Sequence, residues 1–137
     1  MQFIKGAWST GERMGVQRFG AQVEWRTMGE GFTWETQDRA RDVTAATAAW
    51  REATSMMADP SIRLLVLDEL NIALRYDYLP LAEVVAALRA RRSDLHVVVT
   101  GRHAKPELIE AADCVTEFTL VKHHFAAGVR AQQGVEF

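Results

Sequence analysis

Cysteine occurs once in this 137-residue sequence, at Cys114. A lone thiol excludes an internal disulfide framework and any thiolate cluster within the chain, and it suits a reducing cytosol. Long apolar runs are also absent. None approaches the roughly 20 residues that a membrane-spanning helix needs. The first six residues lack the basic start and apolar core of a signal peptide. Charge of one sign is not in excess: 16 Lys and Arg stand against 18 Asp and Glu, a formal net charge of −2. That leaves no basic surplus for nucleic acid and no acidic tail. Lysine is scarce. Lys5, Lys105 and Lys122 follow Ile4, Ala104 and Val121, so no Gly-Lys pair exists. The phosphate-cradling pattern G-x-x-x-x-G-K-[ST] is therefore not among these residues. With it goes the nest of backbone N–H groups at a helix N-terminus that makes an autonomous nucleotide site.

What is present reads as one folded domain over residues 1–137. Apolar residues make up 48% and charged residues 25%, close to the globular norm. Residues 1–4 have the pattern of a short strand, with a loop up to Phe19 and a weakly alternating stretch from Gln22 to Met28. A helix is expected from about Asp38, capped by Thr36 or Asp38. Val43, Ala46, Trp50, Ala53 and Met57 give it one apolar face, and Asp59-Pro60 stops it. Leu64-Leu65-Val66-Leu67 is a continuous apolar run, as in a strand buried on both faces. Pro80 suits the first position of a helix striped by Leu81, Val84, Val85 and Leu88. Val97–Val99 reads as a second buried strand, Pro106 opens a helix to about Ala112, and Cys114–Leu120 reads as a third strand, with Cys114 a buried small hydrophobe. The alternation implies an α/β domain with a mostly parallel sheet.

The sharpest chemical motif is Leu64-Leu65-Val66-Leu67-Asp68-Glu69, an apolar strand ending in two acids. Ligands of open α/β sheets bind at the carboxyl ends of strands. A carboxylate there can hold Mg²⁺ bridging phosphate oxygens. The same run also fits a plain strand whose polar end marks solvent. Val98-Val99-Thr100-Gly101-Arg102 would bring a hydroxyl and a guanidinium, a good phosphate partner, to the same edge, or it is an ordinary turn. Phe32 and Trp34, in a loop with Gly29 and Gly31, either anchor that loop or form a platform for a flat apolar ligand. Of His96, His103, His123 and His124, no pair has the helical spacing of a metal clamp. His123 beside Lys122 fits a phosphate contact or a surface patch.

Taken in order, these segments resemble the P-loop type of ATP:corrinoid adenosyltransferase. The matching pieces are Gln2-Phe3-Ile4-Lys5-Gly6, Gly11-Glu12-Arg13, Gly31-Phe32-Thr33-Trp34-Glu35-Thr36-Gln37, Leu67-Asp68-Glu69-Leu70 and Tyr76-Asp77-Tyr78-Leu79-Pro80. Val99-Thr100-Gly101-Arg102, Ala112-Asp113, Val121-Lys122-His123 and Gly134-Val135-Glu136-Phe137 complete the series. The resemblance implies a RecA-like α/β fold in a cytoplasmic enzyme, usually a homodimer. Such an enzyme moves the 5′-deoxyadenosyl group of ATP to the cobalt of a reduced corrinoid and releases triphosphate. It also implies a reduced flavoprotein or similar electron donor. Asp68 and Glu69 take the place of the Mg²⁺-associated acids. Phe32 and Trp34 take that of the aromatics beneath the corrin ring. Lys5, Thr100, Arg102 and His123 become candidate phosphate or corrinoid contacts.

The departure is the phosphate loop. In the family its strand, loop and helix precede the segment matching residues 2–6. The expectation is thus of a sheet lacking its first strand-loop-helix unit, impaired or inactive as it stands. Alternatives are a non-catalytic corrinoid-binding module or degenerate paralogue, and an unrelated RecA-like ATPase fragment.

Overall fold

The computed structural model describes residues 1–3, 11–28 and 39–130, apart from the side chains of residues 12 and 13. Its helices are α1 (Gly11–Gln17), α2 (Arg39–Ala58), α3 (Leu70–Arg75), α4 (Leu81–Arg89) and α5 (Pro106–Ala111), and its strands are β1 (Leu64–Leu67) and β2 (His96–Val99). The chain forms two compact units, one of residues 1–7 with 26–113 and the other of residues 8–25 with 114–137. Among the described residues, no helix is long and apolar enough to cross a membrane.

The first unit is a mixed α/β layer. β1 and β2 pair in parallel, Leu64 opposite His96 and Leu67 opposite Val99, which requires the crossover that α3 and α4 supply. Gln2 continues this pairing on the other edge of β1, bridging in parallel to Asp68 and to Thr27. Phe3 N donates to Asp68 O at 3.0 Å, Asp68 N to Met1 O at 2.8 Å, and Met28 N to Gln2 O at 3.0 Å. Where strands are expected at residues 1–4 and 22–28, the described residues form only isolated bridges, at Gln2 and Thr27.

α2 forms where the apolar periodicity places it. Ala46, Ala49, Ala53, Met56 and Met57 are buried, and Val43 and Trp50 pack against the same core. Its small residues let the helix approach β1, whose Leu65 and Leu67 are 2% and 0% exposed. The helix ends before Asp59, whose carboxylate accepts from both the amide and the hydroxyl of Ser61. Those two bonds hold the Asp59 carboxyl below its usual range. α4 buries Val84 and Leu88, and α5 starts on Pro106 and buries Leu108.

Three expectations need correction. β1 is buried on one face only and β2 is half-buried on one face, since Leu64, Val66 and Val98 are exposed. Alternate residues point to opposite faces, and the core that includes Leu65 and Leu67 lies against one of them. The stretch 114–120 is exposed and forms no strand, with Phe118 92% exposed. A strand needs a neighbour for its N–H and C=O groups, and this stretch has no ladder among the described residues. Cys114 is accordingly exposed rather than buried. In the same second unit, α1 occupies part of the expected loop, and 3₁₀ turns span Gly20–Gln22 and His124–Ala127.

Candidate functional site

The carboxyl ends of β1 and β2 bring Asp68 and Thr100 together. Thr100 N donates to Leu67 O at 3.2 Å, extending the parallel pairing by one residue. That register sets the Thr100 hydroxyl against the acid. Thr100 Oγ1 donates to Asp68 Oδ1 at 2.7 Å and accepts from Glu69 N at 3.1 Å. On the other edge of β1, Gln2 Nε2 donates to Asp68 Oδ2 at 3.1 Å. Each Asp68 oxygen therefore takes one bond and keeps capacity for another, because a carboxylate offers about four acceptor sites.

Glu69 turns the chain from β1 into α3 with φ 62 and ψ 20, the left-handed region. For a residue with a Cβ, this conformation costs about 1–2 kcal/mol and marks a place where surrounding structure dictates the backbone. The facing turn is equally constrained. Gly101 has φ +125, and a Cβ there would lie 2.9 Å from Asn71 Cβ and 3.2 Å from Glu69 Oε2. Only glycine fits such a backbone and such a space. Asn71, 6% exposed, ties the two turns together. Its amide nitrogen Nδ2 donates to Gly101 O at 3.1 Å, and its backbone N–H to Thr100 O at 3.3 Å. Its Oδ1 is buried without a hydrogen-bond partner.

A second polar cluster fixes the start of α2. Arg39 donates from Nη1 to Tyr76 O at 2.9 Å and from Nη2 to Asp77 O at 3.2 Å, and its guanidinium lies over the Tyr78 ring. The Tyr78 hydroxyl donates to Asp42 Oδ2 at 3.1 Å. Burial, then that hydrogen bond, raises the Tyr78 pKa. The Tyr76–Pro80 segment thus serves to hold α2 to the turn after α3.

Of the residues singled out by sequence, Asp68, Glu69 and Thr100 come together. The Thr100 proton is directed at Asp68. Arg102 follows in an exposed turn. His123 belongs to the second unit, where its Nδ1 accepts from Phe125 N at 3.1 Å and caps a 3₁₀ turn. Its ring stacks on His124 with centroids 4.5 Å apart. Lys5, Phe32 and Trp34 lie outside the described residues. Sequence reasoning missed Gln2 and Asn71 as site residues. Their partners stand 66 and 30 positions away, and no local spacing signals such a contact.

A parallel strand pair with an oriented acid at its carboxyl end is the arrangement in which open α/β sheets hold ligands. The whole chain, residues 1–137, matches the family model described as ATP:corrinoid adenosyltransferase BtuR/CobO/CobP. It is 60% identical over 137 residues to a corrinoid adenosyltransferase of Pseudomonas aeruginosa, covering all of this chain and 68% of that protein. A corrinoid adenosyltransferase of Sinorhizobium is 55% identical over 139 residues, 65% of its length. The corrinoid adenosyltransferase CobA of Salmonella typhimurium is 47% identical over 137 residues, 69% of its length. The chain thus spans about two thirds of the length of these relatives, and it belongs to the corrinoid adenosyltransferase family, a family of transferases.

Proposed function

We propose that these residues form the acid side and the corrinoid side of a site that transfers the 5′-deoxyadenosyl group of ATP to the cobalt of a reduced corrinoid. The observation that carries the reading is the Thr100–Asp68 bond of 2.7 Å at the carboxyl end of two parallel strands, in a chain matched end to end by the family model.

The reaction forms a cobalt–carbon bond and breaks the bond from C5′ to the triphosphate oxygen, with triphosphate leaving on the electron pair. Cobalt(I) is the nucleophile, so the chain need not supply a general base. Its tasks are positioning and charge control. Phe32 and Trp34 cover the lower face of the corrinoid, excluding water and a lower axial donor, which eases reduction of cobalt. Asp68, aimed by Thr100 and Gln2, and Glu69 beside it fit Mg²⁺. The ion favours hard oxygen ligands, and Asp68 keeps unfilled acceptor capacity. Few protein ligands suffice, because Mg²⁺ retains water and phosphate oxygens. When bound, it offsets the charge that grows on the leaving triphosphate.

The same proposal takes the sheet as part of a RecA-like fold. It adds a homodimer, a cytoplasmic setting and an electron donor such as a reduced flavoprotein, each supported by the family resemblance alone. A second reading is corrinoid binding without transfer. One assay separates the two. The chain is incubated with ATP, Mg²⁺ and chemically reduced cobalamin, then examined for the light-sensitive adenosyl–cobalt product and for triphosphate. Equal amounts of both support transfer. A shifted Co(II) cobalamin spectrum without product supports binding alone. Orthophosphate as the product would contradict both.

A further inference from the structure

We infer that Asn71 is a positioning residue for the acid site, acting through Thr100. The inference rests on the reading of Asp68 as the metal-associated acid, but its first test does not. Asn71 sits at the second position of α3 among Leu70, Ala73 and Leu74, which are 0–1% exposed. An apolar side chain of the same shape would suit that environment better. A buried amide whose Oδ1 has no hydrogen-bond partner costs about 1–3 kcal/mol in lost solvation. Its one side-chain bond goes to Gly101 O. That bond, with the backbone bond from Asn71 N to Thr100 O, grips the turn after β2 at two consecutive carbonyls.

Gripping this turn has a specific consequence. Thr100 bears the hydroxyl that accepts from Glu69 N and donates to Asp68 Oδ1. A threonine hydroxyl points where its χ1 well sends it, and that well depends on the backbone. With residues 100 and 101 held, one well is selected and the Asp68 carboxylate is aimed. Gly101 permits the close approach, since any Cβ there would overlap Asn71 Cβ. Asn71 thus reaches the acid through a chain of two contacts without touching a ligand.

The test pairs Asn71→Leu, which keeps the heavy-atom branching and removes the amide, with Thr100→Val, which removes the hydroxyl. The first readout needs no metal. Three-bond NMR couplings report Thr100 χ1, which is expected in a single rotamer in the parent and averaged in Asn71→Leu, while the melting temperature is unchanged or higher. A single unchanged Thr100 rotamer in Asn71→Leu would overturn the inference. The second readout is Mn²⁺ affinity by EPR without nucleotide. Asn71→Leu and Thr100→Val each weaken it about tenfold, the lower end of the effect of removing a metal site's outer partners, and the double variant is no weaker than Thr100→Val. Fully additive losses would overturn the pathway through Thr100. Asp68→Asn serves as the reference. If it leaves Mn²⁺ affinity intact, the metal reading fails, and the rotamer readout still decides the role of Asn71. Should Asn71→Leu not fold, Asn71→Ala, which only removes atoms, carries the same two readouts.

Discussion

At the amino ends of β1 and β2, the guanidinium of Arg92 gathers loose polar groups. It donates to Met57 O at 3.1 Å and to Ile62 O at 2.8 Å, and also contacts Asp59 O. It pairs with Asp94 Oδ1 at 3.0 Å, which holds the Asp94 carboxyl below its usual range. Arg63 completes the group through Asp94 Oδ2 at 2.8 Å. At the carboxyl ends the polar groups behave otherwise. Glu69 is held in a left-handed conformation, Gly101 in one that glycine alone takes readily, and a buried amide oxygen of Asn71 lacks a partner. One end satisfies the carbonyls that a helix end and a turn leave open. The other keeps strain and spare acceptor capacity. Backbone strain of this kind clusters at ligand sites, and beside the oriented Asp68 it supports the proposed reading.

The contrast can be broken by substitution. Gly101→Ala has the largest expected effect, a loss of about 3 kcal/mol from backbone strain and overlap with Asn71. Urea unfolding measures it, and a loss below about 1 kcal/mol would show that the turn is slack. Arg92→Met comes next, costing about 2 kcal/mol through the carbonyls it leaves unpaired. Its Mn²⁺ affinity stays at the parent value, since the residue lies at the far end of the strands. Glu69→Gly runs the other way. Relief of the left-handed backbone raises stability by about 0.5–1 kcal/mol, while Mn²⁺ affinity falls. A Glu69→Gly protein that is less stable and unaltered in metal affinity would remove the distinction between the two ends.

Tyr78 gives the smallest and most specific effect. Its raised pKa means the folded state favours the neutral phenol. That contribution is fully present below the ordinary tyrosine pKa and is lost as pH rises through the raised folded value. Stability should therefore decline in alkaline solution by a component that Tyr78→Phe abolishes. Urea midpoints across the alkaline range check it, and parallel curves for the two proteins would refute it.

Much of the fold was legible because its signals are local. The spacing of Val43, Ala46, Trp50, Ala53 and Met57 marked α2, and Pro80 and Pro106 marked the starts of α4 and α5. The apolar run Leu64–Leu67 marked β1, with Asp68 and Glu69 at its carboxyl end. Other features depend on what lies across the sheet. Leu64, Val66 and Val98 read as buried, yet burial depends on a covering layer that strand composition does not reveal. Cys114–Leu120 has the apolar content of a strand but no ladder among the described residues. α3 is six residues long, too short for a clear helical period. Asn71 and Gln2 escaped notice because their bonds to Gly101 and Asp68 are long-range.

The account turns on Asp68, and the most direct measurement is Mn²⁺ binding without nucleotide, compared between Asp68→Asn and Arg92→Met. The account predicts that Asp68→Asn loses binding at unchanged fold stability, while Arg92→Met loses stability and keeps the affinity. Equal Mn²⁺ affinity in Asp68→Asn and the parent would contradict it.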